Sequence, residues 1–356
     1  MVNLSNLFDF GRNLYALPAY MDNSGKAFMP LRYFFELTYR CNLQCPYCYV
    51  GNDRTKNELT TQEWFSIIEQ IPFYSFVTLV GGEPLVRKDF IDILMKTSKK
   101  TFGKLNVVSN GILINDDIIE AFIKSKMMLL SVSLDGYGKN HELNRAKDGI
   151  WDKIMDNFDN MNSRKKRPMI DIKTIVLQNN LDDLPKLFKM CDEKNFNFLS
   201  ISFLRNNNLK QNSVLFDNFV PQFNDNYPIQ QYFDMEHFKE VYRELEALQK
   251  KSKVKIRFSP KFEYSKDPLA KIEEFFKYPS DKPVRDIYKP CMYPFSNMMI
   301  NPQGDVYPCL SQKIGNVKDM TLIDVFNLPH YRCFRKNLKA AKVFGACQMC
   351  CELELK

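Results

Sequence analysis

Cys41-Asn42-Leu43-Gln44-Cys45-Pro46-Tyr47-Cys48 decides how the rest of the chain is read. Three thiols in C-x3-C-x2-C spacing follow the apolar run Tyr33-Phe34-Phe35-Glu36-Leu37. Thiolates are the soft ligands that iron–sulfur chemistry prefers, and three on one short loop can take three corners of a cubane cluster. The next cysteine is Cys191, so one iron would lack a nearby protein ligand and stay open to a small molecule. The same residues could form a zinc knuckle or simply be buried thiols. Zinc ribbons, however, pair two such knuckles, and no second one follows here.

With its aromatic Tyr47 before the third cysteine, this stretch resembles the radical S-adenosylmethionine (SAM) enzymes. The resemblance implies a [4Fe-4S] cluster on Cys41, Cys45 and Cys48 whose open iron is chelated by the amino and carboxylate groups of SAM. Reductive cleavage of SAM would then supply a 5′-deoxyadenosyl radical that takes hydrogen from a substrate carbon. A flavodoxin- or ferredoxin-type protein is the expected electron donor.

From 31 to 205 a short apolar run is repeatedly followed by an amphipathic stretch. Strands are expected at 32–38, 75–80, 104–109, 128–134, 170–177 and 197–203, and helices at 60–70, 88–100, 115–125, 150–161 and 181–194. Thr60 with Glu63 three residues on is a capping-box signature. Alternating strands and helices predict an α/β fold with a parallel sheet and right-handed crossovers. Six units are too few for a closed eight-stranded barrel and suit a partial, TIM-like (β/α)6 barrel with its reactive groups at the C-terminal strand ends. The family core has that shape.

Several strand-end motifs match the family pattern. Gly81-Gly82-Glu83-Pro84 follows the second strand, where glycines allow close backbone approach and the family binds the methionyl amino group. Ser109 ends the third strand and Ser133 the fourth, at positions resembling ribose and carboxylate contacts. Arg145, in a stretch resembling the loop after the fourth strand, could pair with the methionyl carboxylate through its guanidinium fork. Each is otherwise an ordinary polar strand end. Val176 and Leu177 could face the adenine or simply pack.

Residues 1–30 contain Gly11, Pro18, Gly25 and Pro30 and little periodicity, predicting an irregular leader packed on the barrel. Residues 206–285 read as a bridging segment with a helix near 235–250 and a possible strand at 254–258. Residues 286–356 hold six of the ten cysteines. A β-hairpin is expected around Asn301-Pro302-Gln303-Gly304, bringing Cys291 and Cys309 together, followed by a helical stretch at 321–340. With Cys347 and Cys350 these supply four thiolates, enough to saturate a second cubane. Cys351 competes with Cys350 for the fourth place, and Cys333 is either structural or a substitute ligand. Cys191 lies on an apolar helix stripe and reads as an inert buried thiol. This region resembles the SPASM/twitch extension of the same superfamily. No C-x5-C-x3-C pattern follows, so one auxiliary [4Fe-4S] cluster is implied, as in twitch-type dehydrogenases of aminocyclitols.

Clustered thiols in a chain of 356 residues fit metal binding in a reducing cytoplasm better than a secreted disulfide scaffold. The net charge of +8 is spread over pairs such as Lys165-Lys166 and reads as solvated helix faces, with no basic stripe for nucleic acid and no membrane span. The expected activity is an oxidoreductase that dehydrogenates a small molecule such as a sugar or aminocyclitol. Two alternatives are a peptide or protein maturase and an iron–sulfur electron carrier or structural metal protein. The Gly-Gly-Glu-Pro turn argues against the carrier, which has no use for a methionine site.

Overall fold

The computed structural model describes residues 4–48, 50, 57–204, 216–217, 220–221, 231–277, 284–307, 309, 313–344, 347, 350 and 352–356, with side chains in the first helix from residue 10. Six parallel strands pair in sequence order: β1 (Arg32–Glu36), β2 (Phe76–Val80), β3 (Leu105–Ser109), β4 (Leu129–Ser133), β5 (Met169–Val176) and β6 (Phe198–Phe203). All six fall within a residue or two of the expected runs. The interleaved helices are α2 (Thr61–Gln70), α3 (Phe90–Thr101), α4 (Asp116–Ser125), α6 (Ile150–Asn162) and α7 (Leu184–Glu193). Thr60 and Glu63 form the reciprocal capping box that starts α2.

Side chains alternate along each strand. Phe35, Leu79, Val107, Val132, Ile172 and Ile201 belong to the core shared with the helices, where Phe35 packs 5.2 Å from Trp64. Each such fully buried side chain contributes about 1.5–3 kcal/mol. The opposite, inner face is polar. Asp171 on β5 accepts hydrogen bonds from Ser131 on β4 (3.2 Å) and Ser200 on β6 (2.6 Å), and Lys173 lies 3.4 Å from it. Buried polar groups persist only when partnered, and these strands supply the partners.

Three expectations are corrected. Residues 4–21 form a helix, α1 (Leu4–Met21), despite Gly11 and Pro18. Those residues cost helix stability locally, but tertiary packing outweighs them. The segment that contains α1 also packs against the C-terminal region: Tyr20 meets Phe295 at 5.3 Å, Lys339 reaches the Met21 carbonyl, and Asn327 brackets Ala27. The strand expected at 254–258 forms as β9 (Lys255–Ser259) and pairs in parallel with β6. The C-terminal hairpin also joins the sheet: β10 (Asn297–Ile300) pairs antiparallel with β11 (Asp305–Tyr307) and in parallel with β1, and β12 (Gly315–Asn316) completes ten strands. A two-residue pair, β7 (Phe216–Asp217) with β8 (Val220–Pro221), stands apart. The expected helix at 321–340 is two helices, Leu322–Phe326 and Pro329–Ala341. Among the described residues no helix is long and apolar enough to cross a membrane.

Candidate functional site

The cysteine loop leaves β1 and runs beside the turn that leaves β2. Gly82 N donates to the Thr38 carbonyl (2.7 Å) and Glu83 N to that of Arg40 (2.9 Å). A Cβ on Gly81, whose φ is +149°, would collide with the Thr38 carbonyl, and one on Gly82 would lie 2.5 Å from the Arg40 oxygen. The two glycines are therefore required first by contact with the cysteine loop itself. Pro84 opens a short 3₁₀ turn capped by Glu83.

Glu83 is fully buried and accepts hydrogen bonds from Ser109 Oγ (3.0 Å), Asn110 N (2.6 Å) and Leu85 N (3.1 Å). Burial outweighs these bonds and pushes its carboxyl up to about 7. Ser109, expected near a ribose, is thus committed to Glu83 and to Gly111 N. Ser133 is half-buried at the C-terminal end of β4, while Val176 is buried and Leu177 half-buried.

Cys41, Cys45 and Cys48 are half-buried and form no disulfide. Leu43 N (3.4 Å) and Asn110 Nδ2 (3.9 Å) approach Cys41 Sγ, and Arg145 Nη1 lies 3.7 Å from Cys45 Sγ. Burial raises the thiols of Cys41 and Cys45, and the Arg145 guanidinium draws Cys45 back down. Among the described residues no three His, Cys, Asp or Glu side chains converge as a single ion would need. Cubane ligands stand on different irons and need no such convergence.

Arg145 does not sit in a loop as expected; it ends a helix, α5 (Lys139–Arg145). Its Nη2 pairs with Asp135 Oδ2 at 2.6 Å, and Tyr47 donates to the same oxygen at 2.7 Å. Ile175 N satisfies the other carboxylate oxygen at 2.9 Å. Asp135 raises the Arg145 guanidinium, despite burial, and burial with the Asp135 charge raises the Tyr47 phenol. Asp135 N donates to His141 Nδ1 (3.2 Å), and burial holds that imidazole down at about 4.

The C-terminal cysteines also gather. Cys291 N donates to the Lys342 carbonyl (2.9 Å), Cys347 N to that of Phe344 (3.0 Å), and Cys350 N to that of Cys347 (2.9 Å). Burial pushes the Cys291 thiol up to about 12, with added repulsion from Cys309; Cys347 is raised by burial and then by both. Cys351 lies outside the described residues. Cys333 is exposed and Cys191 buried. His237 pairs with Asp182 and His330 with the Ile314 carbonyl, so neither joins a thiol group.

Residues 35–191 match the model of the radical SAM superfamily, and residues 291–351 match that of the SPASM iron–sulfur cluster-binding domain. The chain belongs to the radical SAM superfamily. It is 25% identical over 177 residues to the sporulation killing factor maturation protein SkfB of Bacillus subtilis (strain 168), a match covering 49% of this chain and 42% of SkfB, less than half of that relative's length. SuiB of Streptococcus suis, crystallised with its precursor peptide SuiA, superposes with a TM-score of 0.62 at 16% identity, covering 92% of this chain and 70% of SuiB. The structure of anSMEcpe with bound AdoMet gives 0.58 at 21%, covering 83% and 80%. These two likenesses establish the fold.

The cofactors of this radical SAM enzyme are accordingly [4Fe-4S] clusters and SAM. Its residues fit them: three thiols outside any disulfide share one loop, and beside them Arg145 Nε is buried without a hydrogen-bond partner. Glu83 is already committed to Ser109, Asn110 and Leu85 within the protein. Sequence analysis singled out Ser109 and Ser133 but not Asn110 and Asp135, which follow them by one and two residues. Their signal was position beside Ser109 and Ser133.

Proposed function

We propose that this radical SAM enzyme matures a peptide, oxidising one of its residues or forming a cross-link. The similarity to SkfB, a maturation protein, carries this reading. The fold shared with SuiB in its complex with precursor peptide SuiA supports it. These relatives favour the peptide over the sugar or aminocyclitol that the short C-terminal motif suggested.

When bound, the first cluster and SAM supply the radical that removes a substrate hydrogen. The chain's own residues orient and shield. Cys41, Cys45 and Cys48 hold the cluster, Arg145 and the Gly81–Gly82 backbone grip the methionyl group, and Asp135 with Tyr47 holds Arg145 in place. Ser133, Lys173 and Ser202 line the half-buried inner face of the sheet and offer hydrogen bonds to an extended backbone. Cys291, Cys309, Cys347 and Cys350 hold the auxiliary cluster. Four thiolates there would leave no iron open to substrate, so the group they would hold would supply an electron acceptor and not a substrate site.

The test is anaerobic reconstitution with dithionite and SAM, followed by mass spectrometry with peptides encoded beside the gene and with a sugar and aminocyclitol panel. Peptide-dependent loss of a hydrogen pair supports the reading. Turnover of the small molecules alone restores the dehydrogenase alternative, and absence of 5′-deoxyadenosine favours an electron carrier.

A further inference from the structure

The inner face of the sheet carries two cations whose charge no step above uses. Ser133 on β4 is in register with Lys173 on β5, Lys173 with Ser200 on β6, and Ser200 with Arg257 on β9. Residues in register on neighbouring strands share a face, so the four form one row across the sheet. Lys173 Nζ lies 3.4 Å from Asp171 Oδ2. That carboxylate is already engaged: Ser131 Oγ (3.2 Å) and Ser200 Oγ (2.6 Å) donate to its two oxygens. The Lys173 side chain is 42% exposed, and an ammonium has three donors. One long contact to a shared carboxylate leaves it able to bind more. The Arg257 guanidinium lies 3.3 Å over the centre of the Phe198 ring, a stacking that fixes its position. Glu263 also feels Arg257, but burial outweighs that and pushes its carboxyl up to about 7, so near neutral pH it supplies only part of a negative charge. Among the described residues, positive charge therefore exceeds negative along this row.

We propose that Lys173 and Arg257 form an anion subsite on the inner face of the partial barrel that receives a carboxylate of the substrate, either an acidic side chain or the free C-terminus of a peptide. This rests on the peptide reading above and names the chemistry that the peptide must carry. The row crosses the middle of β5, β6 and β9, while the cysteine loop and the Gly81–Gly82 turn leave the C-terminal ends of β1 and β2 in the same sheet. A substrate anchored on the row has its neighbouring carbons directed toward those strand ends. In a partly dehydrated site an ion pair gains strength over its value in water, and a neutral amide of the same shape leaves both cations uncompensated. That difference selects the acid over its amide. Lys173 and Arg257 are specificity residues in this scheme, since they hold a group remote from the reacting carbon.

The experiment is acetylation footprinting of Lys173 in the reconstituted, SAM-loaded protein, read by peptide mass spectrometry at constant ionic strength. The probes are the capped tripeptide acetyl-Ala-Glu-Ala-amide, its Gln counterpart, acetyl-Ala-Ala-Ala with a free C-terminus, and glucuronate. At about 10 mM the Glu peptide should slow acetylation saturably, by about threefold or more, while the Gln peptide leaves the rate unchanged. Protection by the free-terminus peptide in place of the Glu peptide supports the subsite and assigns the carboxylate to a C-terminus. Arg257→Gln should abolish the protection and Arg257→Lys restore it, with SAM affinity unchanged in both. Equal protection by the Glu and Gln peptides overturns the proposal. So does protection that survives Arg257→Gln, or a Lys173 inert to the reagent without any probe. Protection by glucuronate alone keeps the anion subsite and removes the peptide reading. No protection by any carboxylate removes the subsite and leaves the peptide reading to its own turnover test. Should Arg257→Gln fail to bind SAM, the Glu and Gln peptides on the unaltered protein decide by themselves.

Discussion

Asp135 and Arg145 meet at 2.6 Å, and the same guanidinium lies 3.7 Å from the Cys45 thiol. The pair ties the end of β4 to the cysteine loop, with Tyr47 of that loop closing the circuit on Asp135. Both partners are largely withdrawn from water, with side-chain exposures of 1% for Asp135 and 13% for Arg145, so the ion pair is worth far more intact than half-removed.

Asp135→Asn should therefore destabilise the protein by about 3 kcal/mol, because it leaves a buried guanidinium uncompensated. Urea unfolding of the apo protein measures this. The same variant should weaken equilibrium SAM binding to the reconstituted protein at least about tenfold, or about 1.4 kcal/mol. Unchanged affinity would remove Arg145 from the methionyl site.

Gly81→Ala should prevent stable cluster loading. The new methyl group would meet the Thr38 carbonyl at a φ of +149°, where side chains are strained, and neither backbone can yield without moving the cysteine loop. Iron per chain should fall by about half after reconstitution, the C-terminal cluster being spared.

Glu263 provides a pH test remote from the thiols. It lies in the turn after β9 and accepts from Phe258 N at 3.0 Å, yet burial pushes its carboxyl up to about 7. A raised carboxyl binds a proton more tightly folded than unfolded. Its contribution is fully present below about pH 4.5 and is lost as pH rises through about 7. Glu263→Gln should flatten that loss by up to about 3 kcal/mol relative to the unaltered protein between pH 5 and 8, read from urea midpoints. Parallel curves for the two proteins would show that burial does not act on this group.

Cys291→Ala or Cys347→Ala should lower iron from about eight to about four per chain while leaving 5′-deoxyadenosine formation measurable. Substrate oxidation should be lost, since the electron would have no acceptor. Cys333→Ala should leave iron content unchanged, because that thiol is exposed.

Local chemistry made much of this legible before any coordinates. The spacing around Cys45, the alternation of β1 to β6 with their helices, and the Thr60–Glu63 cap are each written within a few residues, where hydrophobic period and hydrogen-bonding groups act directly. Even the purpose of Gly81 and Gly82 was half visible, as a demand for close approach; that the Thr38–Arg40 backbone makes that approach was not.

Long-range packing decided the remainder. Helix α1 forms against the local preference of Gly11 and Pro18 because the C-terminal region receives it, and β10 extends the sheet only through its pairing with β1, some 260 residues away. Asp135 acquires its role from Tyr47 and Arg145, partners brought together by folding alone. A sequence motif records which groups stand side by side along the chain. The electrostatics of a buried charge depend on which groups stand side by side in space.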